Sequence, residues 1–241
     1  MTDAPLDVLA IMAHPDDVEL TCGGTLAASA DRGRRVGILD LSYGETASRG
    51  TVEVRQREAA EAARILGVVH RENLGLPDAA IVDTPATRER LAVALRRLRP
   101  RVVIAHAPTG RHPDHVAAAQ LVRHAVFVAG LRKVAPEVPA FRPTKVLHSL
   151  AYREDAPRPT FVVDVSATFE RKLAAIACYR SQFEGLTQAG EVYPNGEPLA
   201  EIVRHQGAHY GAMIRCRYGE PFLTTETMRV EDVASLEVPT F

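Results

Sequence analysis

Three side chains near the start of the chain have the types and the spacing of metal ligands. His14, Asp16 and Asp17 stand in the run Ala-His-Pro-Asp-Asp-Val-Glu-Leu at 13–20, directly after an apolar segment at 7–12 that is typical of a buried strand. Unpaired charges are costly to bury, and a bound divalent metal would supply a partner for them. The spacing lets His14 and Asp17 face one point in a tight turn, which leaves Asp16 free to hold a water molecule.

A second run of the same character, Arg-His-Pro-Asp-His at 111–115, follows another predicted strand at 101–105. It adds the imidazoles of His112 and His115 and the carboxylate of Asp114. Metal-bound histidines commonly bond a carboxylate through their other ring nitrogen, which is a role that such an aspartate suits. Asp after His-Pro can also simply cap a turn. Two strand ends that each present His and Asp are nevertheless what a metal site with three protein ligands and one open position requires.

The elements that must position these runs alternate between strand and helix. Strands are predicted over 7–12, 35–41, 68–72, 101–105, 145–152 and 160–165, and helices over 21–32, 52–66, 87–99, 114–130, 167–183 and 199–215. This alternation predicts an α/β fold, with a Rossmann-like, mostly parallel sheet and helices on both faces. Right-handed crossovers place the strand-to-helix loops on one edge of such a sheet, where ligands bind. The two His/Asp runs are therefore expected to converge there.

The chain is interpreted as a single domain over 1–241, with a C-terminal strand and helix portion from residue 145 onward. The stretch 184–198 is rich in Gly and Pro and is a candidate lid over the site. Gly23 and Gly24 follow a strand and begin a helix, as in nucleotide-binding folds. They lack the G-x-G-x-x-G spacing, however, so a dinucleotide cofactor is not expected.

Composition limits the classes of partner. The 29 Lys and Arg nearly balance the 30 Asp and Glu, which gives a net charge of −1 and no reason to expect nucleic acid or an anionic membrane as a partner. Cys22, Cys178 and Cys216 form no C-x-x-C pair and are expected to be reduced thiols. No basic leader precedes the first strand, and no apolar run approaches the ~18 residues of a membrane span. We therefore expect a cytoplasmic enzyme.

The two runs, together with the Gly-Gly-Thr at 23–25, resemble the LmbE-like (PIG-L) N-acetylglucosaminyl deacetylases. Within that family the resemblance is closest to the branch of bacillithiol biosynthesis that deacetylates N-acetylglucosaminyl-malate. The segments that fit this branch are 50–55, 73–78, 130–133, 181–183 and 218–222. The resemblance implies an LmbE-like fold for nearly the whole chain and a small amino-sugar substrate. It also implies a homo-oligomer, since the family commonly forms hexamers.

The resemblance implies a role for each residue of the two runs. The family's zinc ligands fall on His14, Asp17 and His115, although Fe²⁺ or another divalent ion would accept the same ligands. The family's general base falls on Asp16.

On the second run, the histidine that stabilises the oxyanion or protonates the leaving amine falls on His112. Asp114 is expected to orient His112 and to favour its charged form. Either His112 or protonated Asp16 could deliver the proton to the amine. Arg55 matches an arginine thought to bind substrate, and Arg49 and Arg111 are further candidates for the malate carboxylates.

Three alternatives to this function stay open on the sequence alone. One is an amidase of the same family that acts on another N-acetyl sugar or thiol conjugate. A metal-dependent phosphoesterase would use similar residues, but it usually holds two metals and needs more ligands than the two runs provide. A protein that only binds sugar or metal would not need the spare carboxylate of Asp16.

Overall fold

The computed structural model describes residues 4–150, 157–184 and 198–237. The strands are β1 (Val8–Met12), β2 (Val36–Ser42), β3 (His70–Leu76), β4 (Val102–His106), β5 (Lys145–Ser149), β6 (Phe161–Asp164) and β7 (Gly219–Leu223). The helices are α1 (Asp17–Thr21), α2 (Gly23–Asp31), α3 (Val52–Leu66), α4 (Pro85–Leu98), α5 (Pro113–Ala129), α6 (Phe169–Ile176), α7 (Arg180–Phe183) and α8 (Leu199–Met213). A short 3₁₀ helix follows at Val233–Ser235.

All seven strands form one sheet in the order β3-β2-β1-β4-β5-β7-β6. The pairs from β3 to β5 are parallel, whereas β7 runs antiparallel to both β5 and β6. The predicted α/β fold with a mostly parallel sheet is confirmed, and the portion after residue 145 extends the same sheet. Strand β7 was not predicted, because Gly219 and Pro221 weaken the sequence signal of a strand.

Helix α3 begins and ends where the sequence predicts. Thr51 accepts a hydrogen bond from the N–H of Val54 at the start of the helix, and Gly67 ends the helix in the left-handed conformation with φ 77°.

Other boundaries differ from the prediction. The structure has two helices in place of the first predicted one, because α1 already begins at Asp17 and Cys22 separates it from α2. The helix predicted over 167–183 is likewise divided into α6 and α7. β3 begins at His70 and continues to Leu76, so it is shifted towards the site relative to the predicted strand.

The sheet is covered on both faces, as buried parallel sheets require. In β1, Leu9 and Ile11 belong to an apolar cluster with side chains of α4 and α5. Ala10 and Met12 point to the other face and pack with side chains of α1 and α2. All four residues are fully buried. A strand buried on both faces fixes the position of the loop that follows it, and that loop carries His14.

The start of α2 is bonded to the C-terminal part of the chain. Glu220 of β7 accepts hydrogen bonds from the N–H groups of Gly24 (2.9 Å) and Thr25 (2.7 Å), and it pairs with the buried ammonium of Lys172 at 2.6 Å. A Cβ atom on Gly24 would lie 2.9 Å from Cβ of Val165, so the close approach requires glycine. Gly24 therefore allows close packing of α2 and binds a protein carboxylate through its N–H.

Among the helices of the described ranges, none combines the length and the apolar character needed to cross a bilayer. The candidate lid at 184–198 lies outside the described residues except for its two end positions. Residues 151 and 152 of the fifth predicted strand also lie outside them.

We predict that Glu220→Ala destabilises the fold strongly. It would leave the charge of Lys172 buried without its partner, which typically costs about 3–5 kcal/mol. Urea denaturation would measure the free energy of unfolding. Glu170→Ala is the matched control, because it breaks the exposed pair of Glu170 with Arg204, and exposed ion pairs contribute little to stability. Equal, small losses in both variants would contradict the prediction.

Candidate active site

The two His/Asp runs meet because β1 and β4 are neighbouring parallel strands, with Ile11 opposite Ala105. Their C-terminal ends lie side by side, so the loop that carries His14 faces the start of α5. Asp16 adopts a left-handed backbone conformation with φ 102°, which is rare outside glycine. This sharp turn ends the strand and places Asp16 and Asp17 on different sides of the loop.

Asp17 is the centre at which the imidazoles gather. Its Oδ2 accepts the backbone N–H of His14 at 2.8 Å and lies 3.2 Å from His14 Nδ1. Its Oδ1 lies 3.2 Å from Nε2 of His115. The structure therefore brings together the three residues that the sequence predicts as ligands, around a carboxylate that is almost fully buried.

His106, at the last position of β4, is a site residue that the sequence analysis missed. Its Nε2 accepts the N–H of Ala13 at 3.0 Å and lies 3.3 Å from Oδ2 of Asp17. Its ring stacks on that of His115, with centroids 4.0 Å apart and planes 8° apart. The predicted strand stopped at Ala105, one residue short. A histidine ending a central parallel strand was the signal that could have revealed it.

Asp114 lies against His14, and the expectation that its carboxylate orients His112 is wrong. Oδ2 of Asp114 is 3.3 Å from Nε2 of His14. Asp114 contacts His112 through its backbone instead, since its N–H donates to Nδ1 of His112 at 3.2 Å. Asp78, which the sequence analysis did not single out as a site residue, also contacts His14 Nε2, at 3.0 Å.

His112 is exposed at the mouth of the site, and its ring stacks on that of His115 at 4.4 Å. Partial burial and the positive charges of His115 and His14 lower the pKa of His112. The charge of Asp114 acts in the expected direction and favours the charged form of His112, but these larger effects outweigh it. Because Nδ1 accepts a hydrogen bond, the neutral ring carries its proton on Nε2 and can donate it to an oxygen.

Arg55 is buried and bonded to the loop of the first run. Its Nη2 donates to Oδ2 of Asp16 and to the carbonyl of Pro15, both at 2.8 Å, and its Nη1 donates to the carbonyl of Gly44. The guanidinium thus fixes the carboxylate of Asp16. The Nε of Arg55 is the part of this group that is buried without a partner.

The other two arginines expected at the site are exposed. Arg49 donates to the carbonyl of Glu184 at 3.2 Å, and Arg111 precedes His112 in the loop before α5. Both lie on loops of the same sheet edge as the two runs. Neither touches the cluster around Asp17.

Below the site, Glu19 of the first run is fully buried in a network of charges. Its Oε1 accepts from Nη1 of Arg71 at 2.7 Å and from the hydroxyl of Tyr179 at 3.0 Å. Arg71 also binds both carboxylate oxygens of Asp40, at 2.8 and 3.0 Å. This network ties α1, and with it the site loop, to β2, β3 and the connection between α6 and α7.

The carboxylates around His14 favour its cationic form. Burial acts to lower the pKa of His14, but the hydrogen bond and the charge of Asp17 outweigh burial, Asp78 adds to the effect, and the pKa rises to about 11. Burial acts to raise the pKa of Asp17, yet His115 and His106 hold it well below the usual range. The cluster therefore favours an added positive charge, as a proton or a divalent cation would supply.

Asp16 behaves differently from its neighbour. Burial raises the pKa of Asp16 to about 7, although the charge of Arg55 acts to lower it. A carboxyl group that changes its charge near neutral pH can accept and return a proton. Adjacent carboxylates thus differ in function, with Asp17 permanently charged and Asp16 able to titrate.

The ligand atoms fit a divalent metal. Three groups of side chains in the described part of the chain have ligand atoms within 4.8 Å of one another, and they are His14/His112/His115, Asp17/His106/His115 and His14/Asp78/Asp114. Imidazole nitrogens with carboxylate oxygens are suitable ligands for zinc and iron. The overlap of these groups at His14 and His115 agrees with a single cluster.

Comparison with known proteins gives one family and several relatives. Residues 9–126, which contain both His/Asp runs, match the PIG-L family, described as GlcNAc-PI de-N-acetylase. The 1D-myo-inositol 2-acetamido-2-deoxy-alpha-D-glucopyranoside deacetylase of Mycobacterium sp. (strain JLS) is 30% identical over an alignment of 251 positions. The alignment covers 80% of this chain and 77% of that protein. A probable N-acetyl-alpha-D-glucosaminyl L-malate deacetylase 2 of Bacillus cereus is 27% identical over 198 residues, with 75% and 86% covered.

A solved structure is also similar along nearly its whole length. The conserved protein TT1542 from Thermus thermophilus superposes with a TM-score of 0.83 and 43% sequence identity, and the match covers 94% of this chain and 98% of that one. The sheet and its site-bearing loops therefore belong to a fold already seen in a solved structure.

We predict that His115→Ala abolishes stoichiometric metal binding, because it removes an imidazole that faces Asp17. Metal content per folded chain, measured after zinc loading and desalting, would show it. His124→Ala is the matched control, since His124 lies on the same helix α5 but bonds Asp83 away from the site. Full metal content in the His115 variant would refute the ligand role.

Proposed function

This chain belongs to the PIG-L family and is a metal-dependent N-deacetylase, and we propose that its substrate is N-acetylglucosaminyl-malate in bacillithiol biosynthesis. Water would cleave the amide bond to give acetate and the free amine of glucosaminyl-malate. The observation that carries the deacetylase chemistry is the pair of adjacent aspartates, of which Asp17 contacts the imidazoles while burial raises the pKa of Asp16 to about 7. The malate substrate is supported by the likeness to the Bacillus cereus relative.

His14, Asp17 and His115 are the residues proposed to hold zinc. Two neutral imidazoles and one carboxylate would leave the site with net positive charge and an open position. When bound, such a metal polarises a carbonyl group and lowers the pKa of a water molecule to ~7. The contacts of Asp17 with both imidazoles support this ligand set.

Asp16 is proposed as the general base. Its carboxylate accepts a proton from the water that attacks the acetamide carbonyl. Arg55, at 2.8 Å, fixes the orientation of that carboxylate and keeps part of its population ionised at neutral pH. The proton taken up by Asp16 is then available for the leaving nitrogen, which must be protonated before the C–N bond breaks.

His112 is proposed to stabilise the oxyanion. Its Nδ1 is occupied by the N–H of Asp114, so the neutral ring presents its Nε2 proton to a developing negative charge. A lowered pKa makes His112 a hydrogen-bond donor rather than a proton source. This favours Asp16 as the acid for the leaving amine, of the two possibilities that the sequence leaves open.

Recognition of malate is proposed for the exposed arginines. Arg49 and Arg111 lie on loops at the edge of the sheet where the site is, and arginine binds carboxylates in a bidentate manner. The Bacillus cereus relative, described as acting on an L-malate conjugate, supports this substrate class. Arg55 is less suited to the same task, because its Nη2 already bonds Pro15 and Asp16 and its Nη1 bonds the carbonyl of Gly44.

We predict that Arg55→Gln shifts the acid limb of the pH profile of kcat/KM to higher pH, by roughly 1–3 units. Arg55 lowers the pKa of Asp16, so its loss raises that pKa, and the base is then ionised only at higher pH. Arg57→Gln, an exposed change on the same helix, is the control. A raised KM with an unmoved limb would mean instead that Arg55 contacts substrate.

We predict that Asp16→Asn removes the general base altogether, since an amide cannot accept the proton. The variant is expected to bind metal normally and to lose most turnover at every pH. Rates like those of the wild type in the metal-loaded variant would refute the assignment of Asp16 as the base.

The substrate is tested by amine release from N-acetylglucosaminyl-malate, with N-acetylglucosamine and a phosphomonoester assayed in parallel. We expect the malate conjugate to be cleaved with the highest kcat/KM, and Arg49→Ala with Arg111→Ala to reduce that preference. Equal cleavage of N-acetylglucosamine would remove the malate proposal and leave the deacetylase mechanism. Release of phosphate without amine would indicate a phosphoesterase.

A further inference from the structure

His14 is held at both ring nitrogens by carboxylates. Nδ1 faces Asp17 at 3.2 Å, and Nε2 faces Asp78 at 3.0 Å and Asp114 at 3.3 Å. The side chains of all four residues are at most 10% exposed. Such an arrangement gives the two nitrogens different roles, because only one of them can carry the proton when the ring is neutral.

We propose that Asp78 is a positioning residue for the metal site, which with Asp114 keeps the proton of His14 on Nε2 and leaves Nδ1 as the metal ligand. The inference rests on the proposed function, in which His14 is a zinc ligand. It adds a residue from the connection between β3 and α4 to a metal cluster whose other residues lie just after β1, at the end of β4 and in the first turn of α5. A carboxylate on the second nitrogen of a metal-bound histidine fixes the ring and strengthens it as a ligand.

The carboxylate of Asp78 is itself fixed in place. Its Oδ2 accepts the N–H of Thr46 at 2.9 Å and the hydroxyl of Thr46 at 2.6 Å. The N–H of Asp78 donates to Oε1 of Glu45 at 2.8 Å. One oxygen of Asp78 thus points into the loop before α3, which leaves Oδ1 directed at His14.

Asp114 supports the same nitrogen of His14 from the other side. Its Oδ2 accepts the N–H of Ala79 at 2.8 Å, so both carboxylates already receive hydrogen bonds from neighbouring loops. Ala79 presents that N–H by adopting a left-handed conformation with φ 58°, which is uncommon for alanine. Carboxylates that are held in place by loop N–H groups are suited to fixing the ring of a histidine.

The test compares metal affinity in three variants, by competition with a chromogenic zinc chelator. Asp78→Ala is expected to weaken zinc binding about 10–100-fold without changing the saturating stoichiometry of one metal per chain. Asp78→Asn keeps an acceptor oxygen without the charge and should recover part of that loss. Asp83→Ala is the matched control, because Asp83 lies in the same connection and contacts a different histidine, His124.

A second readout reports the ring directly. Histidine ring ¹⁵N NMR of the zinc-loaded wild type should show His14 bound through Nδ1 with its proton on Nε2. Thr46→Val removes one of the donors that fix Asp78 and should weaken zinc binding in the same direction, by less than Asp78→Ala. This variant keeps the test available if Asp78→Ala does not fold.

The outcomes are distinct. Zinc bound through Nε2 of His14, or complete loss of metal stoichiometry in folded Asp78→Ala, would make Asp78 a ligand and overturn the inference. Wild-type affinity in both Asp78→Ala and Thr46→Val would also overturn it. A wild-type protein that binds no zinc would overturn both the proposed ligand set and the role of Asp78. Normal zinc affinity without amine release from the N-acetyl substrates would refute the proposed function alone.

Discussion

The burial of Asp17 among imidazoles is the interaction on which the rest of the site depends. A carboxylate that is taken out of water must be compensated, and here the partners are His14, His106 and His115. These histidines come from the loop after β1, the end of β4 and the first turn of α5, so the compensation is possible only when β1 and β4 are paired in register. The charge of one side chain therefore couples the geometry of the site to the geometry of the sheet.

The charges below the site extend the same constraint. Glu19 stands two residues after Asp17 and is bonded to Arg71, which also binds Asp40 at the next strand. The short helix α1 is thus held at its first turn by a buried ion-pair network. Helix α1 is only five residues long and has no side-chain cap, so propensity alone would not maintain it. Tertiary contacts provide the stability that the local sequence lacks.

Sequence reasoning found the parts of this arrangement that are local. Helix α3, the contact of Asp17 with His14 and the position of both runs at strand ends follow from patterns within single segments. The contact of Asp17 with His115 was expected because parallel strands bring both runs to one edge of the sheet. Asp78 and His106 were missed because each becomes a site residue only through pairing with a distant segment. The same holds for Arg55, which is one arginine among several on α3 until the fold places it on Asp16.

The role expected for Asp114 was wrong for a related reason. Adjacency in sequence suggested that its carboxylate serves His112, but the first turn of α5 directs its backbone N–H there and sends the side chain to His14. β7 was also beyond local reasoning, because a strand with proline at its centre is stabilised by neighbours on both sides. Physical rules for single segments do not contain this information.

The bond between the start of α2 and Glu220 has a consequence for how the protein is made. Gly24 and Glu220 are separated by 196 positions in the chain, so the first turn of α2 receives its acceptor only when β7 has been synthesised. Contacts of such long separation form late, since a long loop must close before they stabilise anything. Helix α2 is therefore expected to reach its final structure only together with β7. A ribosome-bound chain that already contains every proposed ligand would still lack the strand that completes their support.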